Sequence, residues 1–244
     1  MTPAGGAGAR RFGEVAALYD AVRPDYPAAT VAFLVGDAHR VLDLGAGTGK
    51  LARAVASLGR EVVAVDPDAR MLDILGERLD VERHVGTAER IPLADASVDA
   101  VVVGQAWHWV DEPVAVREVA RVLRPGGTLG VVWNTRDESV PWVRELGRVF
   151  GDGVAPPTRV AAPELGGVLT TPEHRAERWT LPMSVDDLVA LAATRSYVVE
   201  AGEERRAQVA AAVRRLAATV APRSATDPRV DLPYVTEAFV ARRR

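Results

Sequence analysis

The 244-residue chain lacks cysteine altogether and contains a single lysine, Lys50, among its 30 basic residues. The absence of cysteine excludes disulfides, thiolate metal ligands and a cysteine nucleophile. No stretch approaches the roughly 18 uninterrupted apolar residues of a membrane span, so we expect no membrane association. Residues 1–11 lack the apolar run of a signal peptide, which makes a cytoplasmic location the default expectation.

Neither sign of charge dominates, because 30 basic and 33 acidic residues give a net charge of −3 at pH 7. Such a chain generates no overall positive field, which disfavours a nucleic-acid substrate. Hydrophobic residues make up 48% and charged residues 26%, a composition typical of a globular protein with a substantial core. The acidic residues do not cluster with the four histidines at ligand spacing, so we expect no metal site.

Short apolar runs alternate with helical patterns through the first half of the chain. Runs such as Ala100–Val103 contain no polar residue, which is typical of strands covered on both faces in a parallel sheet. The alternation indicates an α/β protein with a doubly wound core. Strands are predicted at residues 40–44, 61–65, 81–85, 98–103 and 128–133, and helices at residues 12–22, 28–35, 48–58, 69–79 and 111–123.

Prolines and glycines loosen the pattern beyond Trp133, which indicates a loop-and-helix insertion there. Further elements are predicted as a strand at 177–181, helices at 185–194 and 203–220, and a strand at 234–241.

A glycine-rich turn follows the first predicted strand, in Val41-Leu-Asp-Leu-Gly-Ala-Gly-Thr-Gly-Lys50. Glycine lets backbone N–H groups approach a ligand closely. The spacing fails the P-loop pattern and departs from the G-x-G-x-x-G of dinucleotide-binding proteins. Asp43, just before the turn, would repel a pyrophosphate, so the turn suits a ligand that carries a positive charge.

The segment Leu42–Gly49 resembles motif I of the class I S-adenosylmethionine-dependent methyltransferases, and the most similar branch is the small-molecule methyltransferase type 11 group. Four further landmarks follow in that family's order, and the resemblance covers roughly residues 12–134. The landmarks are Asp66, Gly86–Leu93, Gly104–Asp111 and Leu123–Thr128.

The resemblance implies an α/β fold built on a doubly wound, seven-stranded, mainly parallel Rossmann-like sheet with helices on both faces and a small helical cap. We interpret the chain as a single methyltransferase domain in four segments. These are N-terminal lid helices in residues 1–35, a cofactor-binding core in 36–134, a cap that shapes the acceptor pocket in 135–220, and a C-terminal strand in 221–244.

The resemblance further implies that S-adenosylmethionine is the cofactor and S-adenosylhomocysteine its product. Asp66 would hold both ribose hydroxyls, since a carboxylate offers two acceptor oxygens, and Asp43 would balance the ammonium group. Tyr19 and Arg23 would close over the cofactor, with packing by Tyr19 and Tyr26 and a surface charge at Arg23 as the alternative. The implied cofactor contacts are Tyr19, Arg23, Asp43, Gly45, Ala46, Gly47, Asp66, Ala88, Glu89 and Gln105.

Methyl transfer from a sulfonium requires alignment in a dry pocket, and a general base only when the acceptor must lose a proton. His108 lies between Trp107 and Trp109 in the loop that the resemblance places at the site, so it is the candidate base. A hydrogen bond within the loop is the alternative role. Trp107, Trp109 and Asn134 are candidate substrate contacts, with packing of at least one tryptophan and a turn role for Asn134 left open.

These observations predict methyl transfer from S-adenosylmethionine to a small organic acceptor, with O-methylation favoured over C- or N-methylation. A protein of the same fold that binds the cofactor without transferring methyl is the alternative. A nicotinamide oxidoreductase is the third hypothesis, although the glycine spacing and Asp43 argue against it. Nothing in the sequence identifies the acceptor, the pathway or the oligomeric state.

Overall fold

The computed structural model describes residues 22–150, 162–193, 202–221 and 229–244. The chain divides into two compact units. The unit that we call the core unit comprises residues 25–134, 160–177 and 236–244. The second unit comprises residues 1–24, 135–159 and 178–235.

The core unit alternates helices and strands as the sequence predicts. Its helices are α1 (Ala28–Val35), α2 (Lys50–Ala56), α3 (Ala69–Gly76) and α4 (Glu112–Val122), with one 3₁₀ turn at Trp107–Trp109. Its strands are β1 (Arg40–Leu44), β2 (Glu61–Asp66), β3 (Glu82–Val85) and β4 (Val98–Gly104). Three longer strands have residues in both units, namely β5 (Leu123–Arg136), β6 (Glu173–Ser184) and β7 (Arg229–Arg242).

The seven strands form one sheet in the order β3-β2-β1-β4-β5-β7-β6. The pairs β2–β3, β1–β2, β1–β4 and β4–β5 are parallel. Strand β7 runs antiparallel to β5, since the Arg243 amide donates to the Gly127 carbonyl and the Asp137 amide to the Pro233 carbonyl. This order confirms the predicted seven-stranded, mainly parallel sheet. The strand order reverses at β1, and ligands of such sheets bind beside the carboxyl ends of the strands at that point.

Helices cover both faces of the sheet within the core unit, because neighbouring residues of each strand point to opposite sides. On one face, Leu42, Val63 and Val101 pack in a buried cluster with α4. On the other face, Val41 and Val102 pack in a second buried cluster with α1, α2 and α3. The predicted coverage of both faces is confirmed.

Capping residues set the start of two of these helices. Asp68 accepts the Arg70 amide at 3.0 Å and begins α3. Asp111 accepts the Val114 amide at 3.4 Å and begins α4, which is the N-cap role that its sequence position favours.

The second unit has a buried cluster of its own, built by apolar faces of α5 (Pro141–Val149), α6 (Val185–Ala193) and α7 (Glu203–Val220). The two predicted helices at 185–194 and 203–220 are confirmed within one residue. Pro141, which we took as a breaker, instead occupies the first turn of α5, where its missing N–H costs no hydrogen bond.

Two predictions on the elements need correction, and a third falls almost wholly outside the described residues. Strand β5 begins at Leu123 and not at residue 128, because residues on both sides of the Pro125–Gly127 turn pair with β4 across a register shift. Strand β6 belongs to the main sheet although it lies within the segment 135–220 that we assigned to the cap. The predicted helix at 12–22 lies, apart from Val22, outside the described residues.

Candidate cofactor site

The turn between β1 and α2 carries three glycines with positive φ, Gly45 at 73°, Gly47 at 53° and Gly49 at 84°. A Cβ added at Gly45 would lie 2.9 Å from the Cβ of Ala106, so the turn lies close against the loop after β4. A Cβ added at Gly47 would meet no atom within 4 Å. The turn therefore leaves open space beside Gly47 that a ligand can occupy.

Asp66 ends β2 next to this turn and is only 8% exposed. Its Oδ2 accepts the Gly47 amide at 2.8 Å, and its Oδ1 accepts the Asp68 amide at 2.9 Å. Each carboxylate oxygen can accept a second hydrogen bond, so both remain suited to a vicinal diol.

Asp43 is buried inside β1 at 1% exposure. Among the described residues, no donor reaches hydrogen-bonding geometry at either of its carboxylate oxygens. Burial raises the pKa of Asp43 to about 7, the Asp66 charge adds to this, and the Ala52 amide opposes it. A buried carboxyl that lacks a well-formed hydrogen bond is costly in its ionised form, so a ligand cation would stabilise it.

The segment after β3 places Ala88 in the core at 8% exposure, with Glu89 half-buried beside it. The Glu89 Oε1 accepts the Asp111 amide at 2.9 Å. Desolvation acts to raise the pKa of Glu89, but hydrogen bonds from backbone amides, chiefly that of Asp111, outweigh it and hold the pKa below its usual value. Glu89 thus links this segment to the end of the loop after β4.

The loop after β4 turns at Gln105, a residue other than glycine that has a φ of 59°. Its amide donates to the Val132 carbonyl at 2.9 Å, and its side-chain Nε2 donates to the Asn134 carbonyl at 2.9 Å. Backbone conformations of this kind persist where the surroundings enforce them, often at functional sites.

The Trp-His-Trp turn that follows divides its side chains between the core and the surface. Trp107 is 4% exposed, and its Nε1 donates to Glu112 at 2.6 Å, so the packing role left open for one tryptophan falls to Trp107. Trp109 is 82% exposed, and its ring lies 4.8 Å from that of His108. Partial burial lowers the pKa of His108, so its imidazole is neutral at pH 7.

Asn134 has its side chain engaged within the core unit. Its Nδ2 donates to the Asp25 carbonyl at 3.1 Å, and its Oδ1 accepts the Thr236 hydroxyl at 2.6 Å. These bonds give the Asn134 side chain a structural role with partners distant in the sequence, which is not the turn role left open for it.

Two further residues, Tyr19 and Arg23, are predicted cofactor contacts that do not belong to the described part of the core unit. Tyr19 lies outside the described residues. Arg23 belongs to the second unit, whereas the other predicted cofactor contacts that the structure describes belong to the core unit.

Two residues at the same edge of the sheet make contacts that the sequence does not predict. The Asp25 carboxylate lies 2.9 Å from Nζ of Lys50, the residue directly after the glycine turn. The Tyr26 hydroxyl lies 2.5 Å from the position that a Cβ on Gly104 would occupy. The two prolines that flank Asp25 and Tyr26 signal a rigid segment, but no local pattern signals these distant partners.

Comparison with known proteins agrees with this geometry. The family model described as a methyltransferase domain, of type 11, matches residues 42–131. An uncharacterized methyltransferase of Mycobacterium tuberculosis, Rv3342, is 48% identical over 228 residues, which are 92% of each chain. The methyltransferase-like protein C25B8.10 of Schizosaccharomyces pombe is 35% identical over 91% of each chain.

The chain belongs to the type 11 class I methyltransferases. A solved structure of a type II methyltransferase candidate from Anaeromyxobacter dehalogenans is 26% identical, with a TM-score of 0.58 over 91% of this chain and 97% of that one. The [4+2]-cyclase SpnF, 19% identical with a TM-score of 0.56 over 97% of this chain and 95% of its own, shares the fold alone.

The protein is therefore an S-adenosylmethionine-dependent methyltransferase, and the core unit fits that cofactor. The open space at Gly47 admits a ligand against the backbone of the turn. The buried carboxyl of Asp43 suits a cationic group, and the carboxylate of Asp66 suits a diol. In the described part of the chain, no group of three or more histidine, aspartate or glutamate side chains is arranged to hold a metal ion.

Proposed function

We propose that this methyltransferase transfers the methyl group of S-adenosylmethionine to an oxygen atom of a small organic acceptor, with His108 as the general base. The observation that carries the proposal is the imidazole of His108 in the loop after β4, which is solvent-accessible, has a lowered pKa and lies beside the exposed ring of Trp109. A neutral imidazole can accept a proton at pH 7, and an exposed indole supplies an apolar wall for an organic acceptor.

The proposed cofactor contacts lie at the carboxyl edge of β1, β2 and β4. Asp66 accepts hydrogen bonds from the ribose hydroxyls, while Asp43 balances the ammonium group directly or through water. The backbone of Gly45–Gly47 lines the same pocket, with Ala88 and Glu89 over the adenine and Gln105 beside the methionyl part.

The residues of the chain have two tasks in the reaction, namely to orient the cofactor and to accept a proton. S-adenosylmethionine, when bound, supplies an electrophilic methyl group on a sulfonium. The glycine turn and Asp66 orient the cofactor, which accounts for much of the barrier reduction in an in-line displacement. Held by Asp66 and the glycine turn, the sulfonium would give its methyl group to the acceptor oxygen and keep the electron pair of the broken carbon–sulfur bond. His108 takes the hydroxyl proton of the acceptor.

A panel of phenols, alcohols and carboxylic acids tests the proposal, with release of S-adenosylhomocysteine as the readout. For a phenol or alcohol, we expect His108→Gln to lower kcat by about a hundredfold or more, the scale of general-base catalysis. Because burial lowers the pKa of His108, the acid limb of the wild-type pH profile should lie below about 6.5, the ordinary histidine value.

Trp107→Phe serves as the matched control for the loop, because it keeps an aromatic ring at a buried position beside His108. Full turnover of a hydroxyl acceptor by His108→Gln would remove the base role. Activity confined to carboxylic acids and retained in His108→Gln would assign an ionised carboxylate as the acceptor, which needs no base.

C-methylation is the second candidate, and it has one specific support. Part of the chain, 48% of it, is 37% identical to 47% of the ubiquinone/menaquinone biosynthesis C-methyltransferase UbiE of Rubrivivax gelatinosus. Carbon NMR of the product made with a ¹³C-labelled methyl donor separates the candidates, because a methyl carbon bonded to oxygen resonates well downfield of one bonded to carbon.

A further inference from the structure

Hydrogen bonds of one asparagine join several segments at the edge of the sheet where we place the cofactor. Asn134 Nδ2 donates to the Asp25 carbonyl at 3.1 Å, and its Oδ1 accepts the Thr236 hydroxyl at 2.6 Å. The Asn134 carbonyl accepts Nε2 of Gln105 at 2.9 Å. Asn134 on β5 therefore ties β7 and the loop after β4 to the segment that begins at Asp25.

This segment, Asp25–Pro27, which we call the strap, reaches the same edge at two further points. The Asp25 carboxylate pairs with Lys50, which follows the glycine turn. The Tyr26 hydroxyl lies against Gly104, the last residue of β4. Strands β1, β4 and β5 are neighbours in the sheet, so the strap crosses three adjacent strand ends.

These contacts differ in how firmly they hold the strap. The Asp25 side chain is 77% exposed, and solvent screens an exposed ion pair so that it holds the strap weakly. Thr236, in contrast, is fully buried, so its hydroxyl must be satisfied inside the protein. The hydrogen bond from Thr236 to Asn134 is therefore held more firmly than the ion pair of Asp25.

The adjoining loop is also held in a conformation that it would not adopt alone. Gln105 keeps a φ of 59°, and its side chain bonds to the carbonyl of Asn134. Since both the Nδ2 and the Oδ1 of Asn134 are engaged, the amide cannot rotate without losing a hydrogen bond. Asn134 thus sets the spacing between the strap and the loop after β4.

We propose that Asn134 is a positioning residue for cofactor binding, held in orientation by Thr236, and not a contact of the acceptor. It keeps the strap and the Gln105 loop in the arrangement that receives the cofactor, so that little ordering remains to be done on binding. This inference rests on the proposed placement of the cofactor at this edge.

Thr236→Val tests the proposal, because it removes the hydroxyl and keeps the shape of the side chain. We expect the Kd for S-adenosylhomocysteine, measured by calorimetry, to rise about fivefold to tenfold, the scale of one hydrogen bond. Thr236→Ser keeps the hydroxyl and should restore the affinity. The matched control is Thr170→Val, which removes a hydroxyl bonded at 3.0 Å to the amide of Arg242, the last residue of β7. It should leave the affinity unchanged.

Hydrogen exchange gives a readout that a merely structural role would not move. In free Thr236→Val, the amides of Tyr26 and Gln105 should exchange faster than in the wild type, and S-adenosylhomocysteine should restore their protection. An equal loss of affinity in Thr170→Val would instead indicate general destabilisation and overturn the proposal.

The variant Asp66→Ala tests separately whether the cofactor binds at this edge of the sheet. If Asp66→Ala weakens binding and Thr236→Val does not, the positioning role is wrong and the placement stands. If Asp66→Ala leaves the affinity unchanged, the placement fails and the positioning role fails with it.

Discussion

At the scale of single residues, the site combines two aspartates whose surroundings differ although they lie on adjacent strands. Asp66 accepts two backbone amides, whereas no described donor satisfies Asp43. Burial disfavours the charged form of Asp43, whereas the Asp66 carboxylate has two backbone amides to compensate its burial. Asp43 is poised to ionise when a cation arrives.

The pH dependence of cofactor binding should reveal this property of Asp43. Its pKa of about 7 means that the free protein carries a protonated Asp43 below neutrality. Pairing with an ammonium group requires the ionised form, so binding releases a proton. The affinity for S-adenosylhomocysteine should therefore rise with pH, by up to about tenfold per unit, and level off above pH 7.

Calorimetry at pH 5.5, 6.5 and 7.5, in buffers of different ionisation enthalpy, measures both the affinity and the released proton. Asp43→Asn keeps the size of the side chain and should abolish both the slope and the proton release. A slope that survives in Asp43→Asn would assign the titration to another group.

The raised pKa of Asp43 also makes the stability of the ligand-free protein depend on pH. Stability should fall as the pH rises, whereas the affinity for S-adenosylhomocysteine should rise. Between the ordinary value of 3.8 and about 7, the folded state holds a proton that the unfolded state has lost. The free energy of unfolding of the ligand-free protein should therefore fall as the pH rises through this window. Asp43→Asn removes this contribution.

At the scale of elements, the buried strands were the most predictable part of the fold. Strands β1 to β4 lie within one residue of their predicted bounds, because continuous apolar runs between turn residues leave few alternatives. Strand β5 is longer than predicted, because Leu123, which precedes the Pro125–Gly127 turn, already pairs with Val98 of β4. Register across two strands is a tertiary property, and local sequence does not encode it.

The candidate site likewise contains some residues that a local motif predicts and others that only the folded chain brings together. The glycine turn and Asp66 were predictable because a short motif contains them. The contacts of Asn134 with Asp25 and Thr236 join residues more than 100 positions apart, and no periodicity or motif links them. Sequence reasoning therefore predicts a substrate contact for Asn134, whereas the positioning role that we propose depends on these tertiary contacts.

Substitution of a glycine in the turn after β1 tests how closely this element approaches its neighbour. Gly45→Ala places a methyl group 2.9 Å from the Ala106 Cβ at a φ of 73°. We expect a loss of about 2–4 kcal/mol in the free energy of unfolding, from backbone strain and overpacking together. The affinity for S-adenosylhomocysteine should fall more than tenfold, because the turn and the loop after β4 are forced apart.

Gly59→Ala is the matched control, since Gly59 has a φ of 75° and open space around its Cβ position. It should lose only about 1–2 kcal/mol from backbone strain and keep its affinity for the ligand. Urea unfolding and calorimetry provide the two measurements. Equal effects in the two variants would show that the contact with Ala106 is unimportant.

At the scale of the whole molecule, charge and fold together narrow the class of ligand. The net charge of −3 gives no general attraction for polyanions. In the described residues, no helix is long and apolar enough to cross a membrane. The fold by itself does not fix the chemistry, since the cyclase SpnF shares it, so function depends on the residues at the strand ends.

Ligand-dependent stability of the whole protein distinguishes the two cofactor classes that a doubly wound sheet can bind. The buried Asp43 beside the glycine turn favours a cation and disfavours a pyrophosphate. S-adenosylhomocysteine at a hundredfold excess over its Kd should therefore stabilise the folded protein by about 2.7 kcal/mol. For a chain of 244 residues this raises Tm by roughly 5–11 °C at the usual 2–4 °C per kcal/mol. NAD at the same concentration should leave Tm unchanged, as differential scanning calorimetry can measure. Stabilisation by NAD alone would contradict the assignment of the glycine turn, because that outcome requires the turn to accept a pyrophosphate next to a buried carboxyl.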